Sequence, residues 1–375
     1  MSIISTKKNW INLTIWVVII ALIIAAPTFL PVFRLNLLGR YLSLAIVALG
    51  VDLIWGFTGM LSLGQGIFFA LGGYCAAMFL QLNSSEGFPN GIPEFFGLYG
   101  IEKLPFFWEP FKNSIFTLIS IWLLPAIIAG LLGYLVFRNR IKGVYFSILT
   151  QAALLVFFNF FNGQQKLING TNGLKTDVTE LFGQLVGSEI MQRGFFWLTA
   201  ILVIFAWLFS RWIVRDRFGD ILIGIRDDEP RVRFTGYNPV VFKTIIFSIA
   251  GGLAGISGAL YTVQSGIVSP QFMTVPFSIE MVIWVAVGGR GTLLGAILGA
   301  VFINYAKSLV SEALPASWMF IQGGLFIFVV TALPEGVLGW IRRGGLKELL
   351  SLIGINKKLK TYPSLEVNEQ GEVKS

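Results

Sequence analysis

The chain has 375 residues, of which 55% are hydrophobic and only 13% are charged. Soluble domains carry about 25% charged residues, so a soluble chain of this composition would lack the polar surface that water requires. The sequence contains no histidine, which excludes histidine-bound metals and the Ser-His-Asp triad. The net charge of +8 is typical of membrane proteins with basic cytoplasmic loops, and we expect no nucleic-acid partner.

Long apolar runs predict about ten transmembrane helices, because about 20 apolar residues cross the hydrocarbon core. The predicted spans are 10–31, 37–57, 60–82, 113–137, 143–161, 194–213, 243–263, 272–288, 292–310 and 318–340. The first run is too long for the apolar core of a signal peptide, so it is predicted to be a retained span. The eighth is predicted to be short or broken, since Pro276 and Glu280 interrupt it. The predicted fold class is therefore an all-α, polytopic integral membrane protein.

Loop charges predict the orientation of these spans. With the N-terminus in the cytoplasm, ten spans return the C-terminus to the same side, and most of the 28 Lys and Arg residues become cytoplasmic. Residues 1–350 then form one transmembrane domain, in which 213–242 is a long cytoplasmic loop. The polar tail 351–375 is predicted to be disordered. The long external loops 83–112 and 162–193 either carry no chemistry or dock an external protein.

Glycine is concentrated in three clusters, at residues 55–74, 251–258 and 288–299. Small residues four apart let helices approach closely, and this interpretation is favoured for the second cluster. In the first and third clusters Ser, Thr or Gln accompanies glycine, which favours a broken helix along a substrate path. The candidate substrate-pathway residues are Asp52, Thr58, Ser62, Gln65 and Glu280.

Two of these candidates, Asp52 and Glu280, are acids within apolar runs. An unpaired carboxylate at the centre of a membrane helix costs about 2.5–3.5 kcal/mol, so each acid is expected to have a partner inside the bundle. A pathway contact and a structural hydrogen bond to a neighbouring helix explain them equally well. A proton relay would need more acids or histidines than the chain has.

The cytoplasmic stretch 218–238 predicts a short amphipathic helix, a charged turn, a second short stretch and a glycine stop. Ile223, Ile225, Val232 and Phe234 interrupt its charges, and a freely solvated loop has no need of such apolar anchors. The stretch is therefore predicted to dock into the groove of a partner. The candidate coupling residues are Gly224, Arg226, Asp227, Asp228, Glu229, Arg231 and Gly236.

This stretch resembles the coupling region of the LivM-type permeases of ABC importers. The family pattern has a glycine, then A-I-R-E-x-E, a later glycine, a lysine and A-G-x-x-G-x-L-Y, and it matches residues 219–261. Gly224 replaces the usual alanine and Asp227 the usual glutamate. Further family motifs match at residues 62–74, 288–295 and 334–339. The resemblance covers most of residues 40–340.

Within that family the chain is similar to the urea-type branch (UrtC), in segments 52–59, 62–74 and 283–292 and in its extended external loop. The resemblance implies a bacterial inner-membrane complex. Its other members would be a LivH-type second permease, two cytoplasmic ABC ATPases and an external solute-binding protein. The chain lacks the phosphate loop G-x-x-x-x-G-K-[ST], so ATP hydrolysis is expected on other subunits and not on this one. No cofactor or metal is expected.

The sequence leaves two substrate classes open, urea and branched-chain amino acids or short amides. Urea is small and neutral, so its site needs hydrogen-bond donors and acceptors without a countercharge, which the candidate pathway side chains and exposed carbonyls supply. A permease for branched-chain amino acids or short amides fits the same family. An ion-coupled carrier or channel would show a series of intramembrane acids, and only Asp52 and Glu280 qualify. A membrane enzyme would need a nucleophile and a base, and the lone Cys75 has no visible partner of that kind.

Overall fold

The computed structural model describes residues 27, 29–84, 91–313, 318–332 and 336–342, and its regular structure is almost entirely helical. The helices of these residues are α1 (Val32–Thr58), α2 (Gln65–Ser84), α3 (Glu94–Leu98), α4 (Ser114–Arg138), α5 (Val144–Gly163), α6 (Gln165–Ile168), α7 (Glu189–Arg215), α8 (Arg217–Phe234), α9 (Pro239–Ser265), α10 (Val275–Gly288), α11 (Leu293–Ala313), α12 (Trp318–Ala332) and α13 (Gly336–Arg342). Short 3-10 turns occupy Glu109–Lys112, Gly170–Asn172 and Pro270–Met273.

The predicted all-α polytopic class is confirmed. Seven helices of the described residues are long and apolar enough to cross a membrane: α1, α2, α4, α5, α7, α9 and α11. The predicted eighth span is the 14-residue α10, which is short and follows the 3-10 turn. Most of the predicted span 10–31 and all of the tail 351–375 lie outside the described residues. The predicted span 318–340 contains α12 and the start of α13.

Helix ends in the bundle follow local capping signals. The side chain of Asn238 accepts the N–H of Val240 at 3.1 Å, and Pro239 takes the first position of α9, where its missing N–H costs nothing. The helix ends at Gly266, whose φ of +80° favours glycine. At the start of α4, the side chain of Asn113 caps the first turn in the same way.

The core is built around α9, which packs most extensively against α4, α2 and α1. Its glycines permit this close approach. A Cβ added to Gly255 would lie 2.3 Å from the carbonyl oxygen of Ile121 on α4, and one added to Gly258 would lie 1.8 Å from that of Phe69 on α2. The interpretation of the second glycine cluster as a helix-packing surface is therefore confirmed.

The outer helices expose apolar side chains, as a surface facing hydrocarbon should. Most residues of α1 and α2 are buried, whereas most residues in the apolar stretches of α4, α5 and α7 are not. Exposed apolar residues on these three helices include Ile119, Ile127, Leu131, Val156, Phe160, Ile201 and Phe205. In water such a surface would drive aggregation, but in lipid it costs nothing.

The two ends of the bundle differ. At one end, α8, the turn 139–143 and the turn 289–292 gather around the last turn of α1, and we call this the α8 end. The loops predicted to share the cytoplasmic side therefore meet at one end.

The opposite end, which we call the sheet end, carries two small antiparallel sheets. Strand β1 (Leu174–Lys175) pairs with β4 (Ile267–Val268), and β2 (Glu180–Leu181) pairs with β3 (Gln184–Leu185). The described part of the predicted external loop 83–112 also lies at this end, where the Trp108 indole donates to the carbonyl of Leu167 at 3.0 Å.

We expect Gly258→Ala to lower the thermal stability of the purified protein, because the added methyl group collides with the α2 backbone. Overpacking of this kind costs about 1–3 kcal/mol. Thermal unfolding in detergent, followed by tryptophan fluorescence, measures the change.

Gly194→Ala is the matched control, since Gly194 is also helical and a Cβ there would meet nothing within 4 Å. Alanine at an open helical position is expected to be neutral or to raise stability by up to about 1 kcal/mol. Equal shifts in the two variants would contradict the packing described for α9.

Candidate coupling and translocation site

The predicted coupling segment folds as two helical pieces within α8. They join at Asp228, whose φ of −155° and ψ of 87° are not helical. The Asp228 carboxylate accepts the N–H of Arg231 at 3.1 Å and caps the second piece, in which Pro230 sits near the start. Past the end of the helix, Gly236 has a φ of +90°. The predicted order of helix, charged turn, second stretch and glycine stop is confirmed.

Glu229 is surrounded by three cations, of which two join α8 to the bundle and the third, Arg233, belongs to α8 itself. The Glu229 side chain is 8% exposed, and its oxygens lie 2.6 Å from Lys243 Nζ, 2.8 Å from an Arg233 guanidinium nitrogen and 3.0 Å from Lys142 Nζ. Lys243 belongs to α9, and Lys142 to the turn between α4 and α5. Burial alone would raise the pKa of the Glu229 carboxyl, but the bonds from Lys243, Lys142 and Arg233 outweigh it and hold that pKa at about 2.

Arg226 makes a second attachment. Its guanidinium donates to the carbonyl of Gly56 at 2.9 Å and to the carboxylate of Asp227 at 3.0 Å. The Gly56 carbonyl belongs to the last turn of α1, where no later helical N–H is available to bond it. Arg226 therefore satisfies a backbone acceptor and ties α8 to the end of α1.

The apolar residues of α8 divide between its two faces. The prediction that all four fill a partner's groove is wrong for Ile225, which is 5% exposed and lies in the core of its own chain. Ile223 and Val232 are half-buried, whereas Phe234 is 91% exposed. An amphipathic helix at the rim of a bundle lays its apolar stripe on that bundle first. The half-buried Gly224 lies against Val232, where an added Cβ would come within 3.1 Å.

Asp52 connects the first glycine cluster to the third through a hydrogen bond. Its Oδ1 accepts the N–H of Gly291 at 2.7 Å, in the turn between α10 and α11. A Cβ at Gly56 would lie 2.3 Å from that oxygen and 2.6 Å from the Gly291 nitrogen, so only glycine fits there. In the same turn, the Arg290 guanidinium lies 5.2 Å from the centre of the Trp55 ring. The first and third clusters thus meet at one contact.

Glu280 has a separate partner. Its two carboxylate oxygens accept from Lys307 Nζ of α11 at 2.7 and 2.8 Å. Glu280 and Asp52 share no hydrogen-bond partner or counter-ion among the described residues. Glu280 therefore has the counter-ion that its burial requires, whereas the second carboxylate oxygen of Asp52, Oδ2, is buried without a hydrogen-bond partner among the described residues.

The segment 59–64 between α1 and α2 is not helical, and α2 begins only after it. Its backbone bonds to hydroxyls of α5: Ser147 donates to the carbonyl of Leu61 at 2.7 Å, and the N–H of Leu63 donates to Thr150 Oγ1 at 3.0 Å. Unwound backbone inside a membrane protein needs partners of this kind. The first glycine cluster was predicted to break a helix, but the structure has 59–64 as the connection between two separate helices, and the second of them begins at 65 and not at the predicted 60.

Gln65 differs from its neighbouring candidates. Thr58 donates to the carbonyl of Ile54 within α1, and the hydroxyl of Ser62 accepts the N–H of Gly64 at 3.3 Å. Gln65 is 1% exposed, yet neither atom of its amide has a hydrogen-bond partner among the described residues.

Ser278 also has a buried hydroxyl without a partner, and it lies close to Gln65 in the fold. A Cβ at Gly66 would come within 3.1 Å of the Ser278 hydroxyl. Unsatisfied buried polar atoms are rare in native proteins and call for an explanation, of which a passing solute is one.

Sequence reasoning missed several of these partners. Lys142, Arg233 and Lys307 were not singled out, and neither was Ser278. Lys142 had one local signal, its place in a basic turn predicted to be cytoplasmic. Ser278 stands only two residues before the predicted candidate Glu280, but serine is common in transmembrane helices and carries no signal alone.

A family model for the permease component of branched-chain amino acid transport systems matches residues 33–330. The chain belongs to this family. It is 27% identical over 319 residues to the high-affinity branched-chain amino acid permease LivM of Escherichia coli K12, covering 79% of this chain and 68% of the relative. It is 22% identical over 313 residues to LivH of the same organism, covering 79% of this chain and 91% of the relative.

The autoinducer 2 import permease LsrC of Escherichia coli K12 strain DH10B is 28% identical over 214 residues, covering 53% of this chain and 60% of the relative. No solved structure matches the chain. The protein is thus a membrane permease subunit of an ABC importer in the branched-chain amino acid family. The predicted family is confirmed, while these relatives do not single out its urea-type branch.

We expect Glu229→Gln to loosen α8, because Lys243 would lose its buried counter-ion; breaking such a pair costs about 3 kcal/mol or more. Faster backbone hydrogen exchange in α8 would report the change.

Acid should also loosen α8, because it protonates the Glu229 carboxylate. The pKa of the Glu229 carboxyl is lowered from 4.5 to about 2. The stabilisation that the ionised carboxylate gives is therefore present above pH 4.5 and is lost as the pH falls toward 2.

Glu189→Gln is the matched control, since the Glu189–Arg193 pair is exposed on both sides and should contribute little. Unchanged exchange in α8 of the Glu229→Gln protein would show that the three-cation cluster does not hold this helix.

Proposed function

We propose that this chain is the membrane subunit of an ATP-driven importer for urea, moved by separate ATPase subunits that dock at the α8 end. The observation that carries the proposal is the two-sided character of α8. Its inner face is clamped to three parts of the bundle through Glu229 and Arg226, whereas its outer face presents Asp227, Arg231 and Phe234.

A force on the outer face would reach several spans at once. Lys243 carries it to α9, Lys142 to the turn between α4 and α5, and Gly56 to α1. Because the chain has no phosphate loop, the force must originate on another subunit. On this proposal Arg231 pairs with an acid of the ATPase, and Phe234 fills its groove.

The α8 end is the cytoplasmic side in this proposal, and both termini lie there, in a bacterial inner membrane. Its support is the concentration of Lys and Arg in the loops that meet at that end. Arg138 ends α4 at this end of the bundle, and the turns that follow α4 and α10 hold Arg140 and Arg290.

The sheet end would then receive an external solute-binding protein. Glu94, Glu102 and Glu109 are exposed there beside Phe106, which is also exposed, so the loop presents charge and apolar surface together. A second, LivH-type permease would complete the membrane part, alongside two ATPases. LivM and LivH are both named as permeases of the high-affinity branched-chain amino acid system, which supports such a pair.

The case for urea rests on neutral polar atoms and on the resemblance to the urea-type branch. Gln65 offers a donor and an acceptor, and Ser278 offers a hydroxyl, all buried and without partners in the described part of the chain. Glu280 is already paired with Lys307, and Asp52 accepts the N–H of Gly291 through Oδ1, while its Oδ2 has no partner in the described residues. A neutral amide needs no countercharge, whereas a zwitterion does.

Branched-chain amino acids are the second candidate. The relatives LivM and LivH carry that substrate in their names. Phe272, whose carbonyl lies beside Gly66, packs on Phe69 and Phe277 with ring centres 5.5 and 5.4 Å away, and such aromatics suit an aliphatic side chain.

We expect Arg226→Gln to lower ATP-driven uptake by about tenfold or more, because a charged hydrogen bond between α8 and α1 contributes about 1.5–3 kcal/mol. Uptake and ATP hydrolysis are measured on the assembled complex in proteoliposomes, after copurification shows that the ATPases still bind.

Arg217→Gln is the control at an exposed arginine of the same helix, and uptake should stay near wild type. If Arg226→Gln keeps full uptake with ATP hydrolysis still coupled to it, α8 is not the transmission element.

For the substrate, labelled urea and labelled leucine are offered to a strain that lacks the chain and to the complemented strain. We expect vanadate-sensitive uptake of urea. Gln65→Leu should reduce this uptake by about thirtyfold, since two hydrogen bonds of about 1 kcal/mol each are lost. Gln184→Leu, at an exposed strand position, should not.

Uptake of leucine alone would select the second candidate. Uptake that resists vanadate and needs no ATPase would instead indicate an ion-coupled carrier or a channel.

A further inference from the structure

The α8 end also has a groove that is not lined by Glu229 or Arg226, the residues that attach α8 to the bundle. The groove has a volume of about 490 Å³ and opens between the last turns of α7, the end of α1 and the start of α11. One wall carries Arg211 and Arg215. The apolar wall includes Phe57, Trp207 and Leu294. A groove with one cationic and one apolar wall suits an amphipathic, negatively charged ligand.

The two arginines are available to an anion. They are four residues apart in α7, so they lie on the same side of that helix. Both are exposed, and neither pairs with a carboxylate in the described part of the chain. The Arg211 guanidinium lies 5.6 Å from the centre of the Trp207 ring, which orients it.

The length of α7 places this wall at the membrane boundary. The helix has 27 residues, or about 40 Å, against a hydrocarbon core of about 30 Å. Its preceding turns expose Ile201, Phe205 and Leu208, as lipid-facing turns do. The last turn therefore reaches the layer of lipid headgroups, where tryptophan is also enriched.

We propose that this groove binds an anionic phospholipid, with the phosphate on Arg211 and Arg215 and the start of an acyl chain along Trp207 and Leu294. Basic grooves between transmembrane helices suit such headgroups. Gly291 also lines the groove, and its N–H donates to Asp52. A lipid seated here would brace the turn that packs on the end of α1.

The test uses the full chain in its assembled complex, reconstituted in nanodiscs of phosphatidylcholine alone or mixed with phosphatidylglycerol. Lipid retained after transfer to detergent is measured by native mass spectrometry. The wild type should retain phosphatidylglycerol over phosphatidylcholine. Arg211→Gln and Arg215→Gln should each retain it about fivefold more weakly, because each loses one basic residue near the headgroup.

Arg193→Gln removes one positive charge from the opposite end of α7 and should retain lipid like the wild type. Equal retention in all variants, or an equal loss in Arg193→Gln, would overturn the proposal. So would inorganic phosphate that displaces phosphatidylglycerol at millimolar concentration, since the site would then serve a free anion. Lipid bound to the isolated chain but absent from the complex would assign the groove to a neighbouring subunit.

Discussion

A backbone N–H or carbonyl that is buried in a protein must find a hydrogen-bond partner there, and this constraint organises the α8 end of the bundle. The end of α1 leaves the Gly56 carbonyl free, and Arg226 donates to it. The unwound segment 59–64 bonds to hydroxyls of α5, and the turn 289–292 gives an N–H to Asp52. Each of these three helix ends or connections is bonded by a side chain of another helix, and all three lie at the α8 end.

In the function proposed above, that arrangement gives α8 a mechanical role. A buried carboxylate is stable only when cations and hydrogen bonds replace the water it has lost, and Glu229 has three cations around it. Two of these cations lie outside α8, Lys243 on α9 and Lys142 in the turn between α4 and α5, so α8 moves only if those elements move too, or if the cluster breaks. The exposed Phe234 lies on the other face, where a partner can push.

Pairing neutralises one of the two acids within the apolar helices. Lys307 neutralises Glu280, whereas Asp52 accepts one backbone N–H through Oδ1 and keeps a buried Oδ2 without a partner in the described residues. The buried polar atoms that still lack partners in the described residues include those of Gln65 and Ser278, which are uncharged. In the proposed substrate path, these uncharged groups would favour a small neutral solute, while the aromatic rings beside them would admit an aliphatic one.

The sequence by itself determined the transmembrane class, the short eighth helix and the two-part form of α8, because apolar run length and the Asp228, Pro230 and Gly236 signals act locally. Only the tertiary structure decided the partners. Asp52 and Gly291 are 239 residues apart, so their bond depends on helix packing, which no local pattern encodes. The late start of α2 has the same cause: the apolar pattern continues through 59–64, but hydroxyls of α5 bond to that backbone and hold it out of the helix.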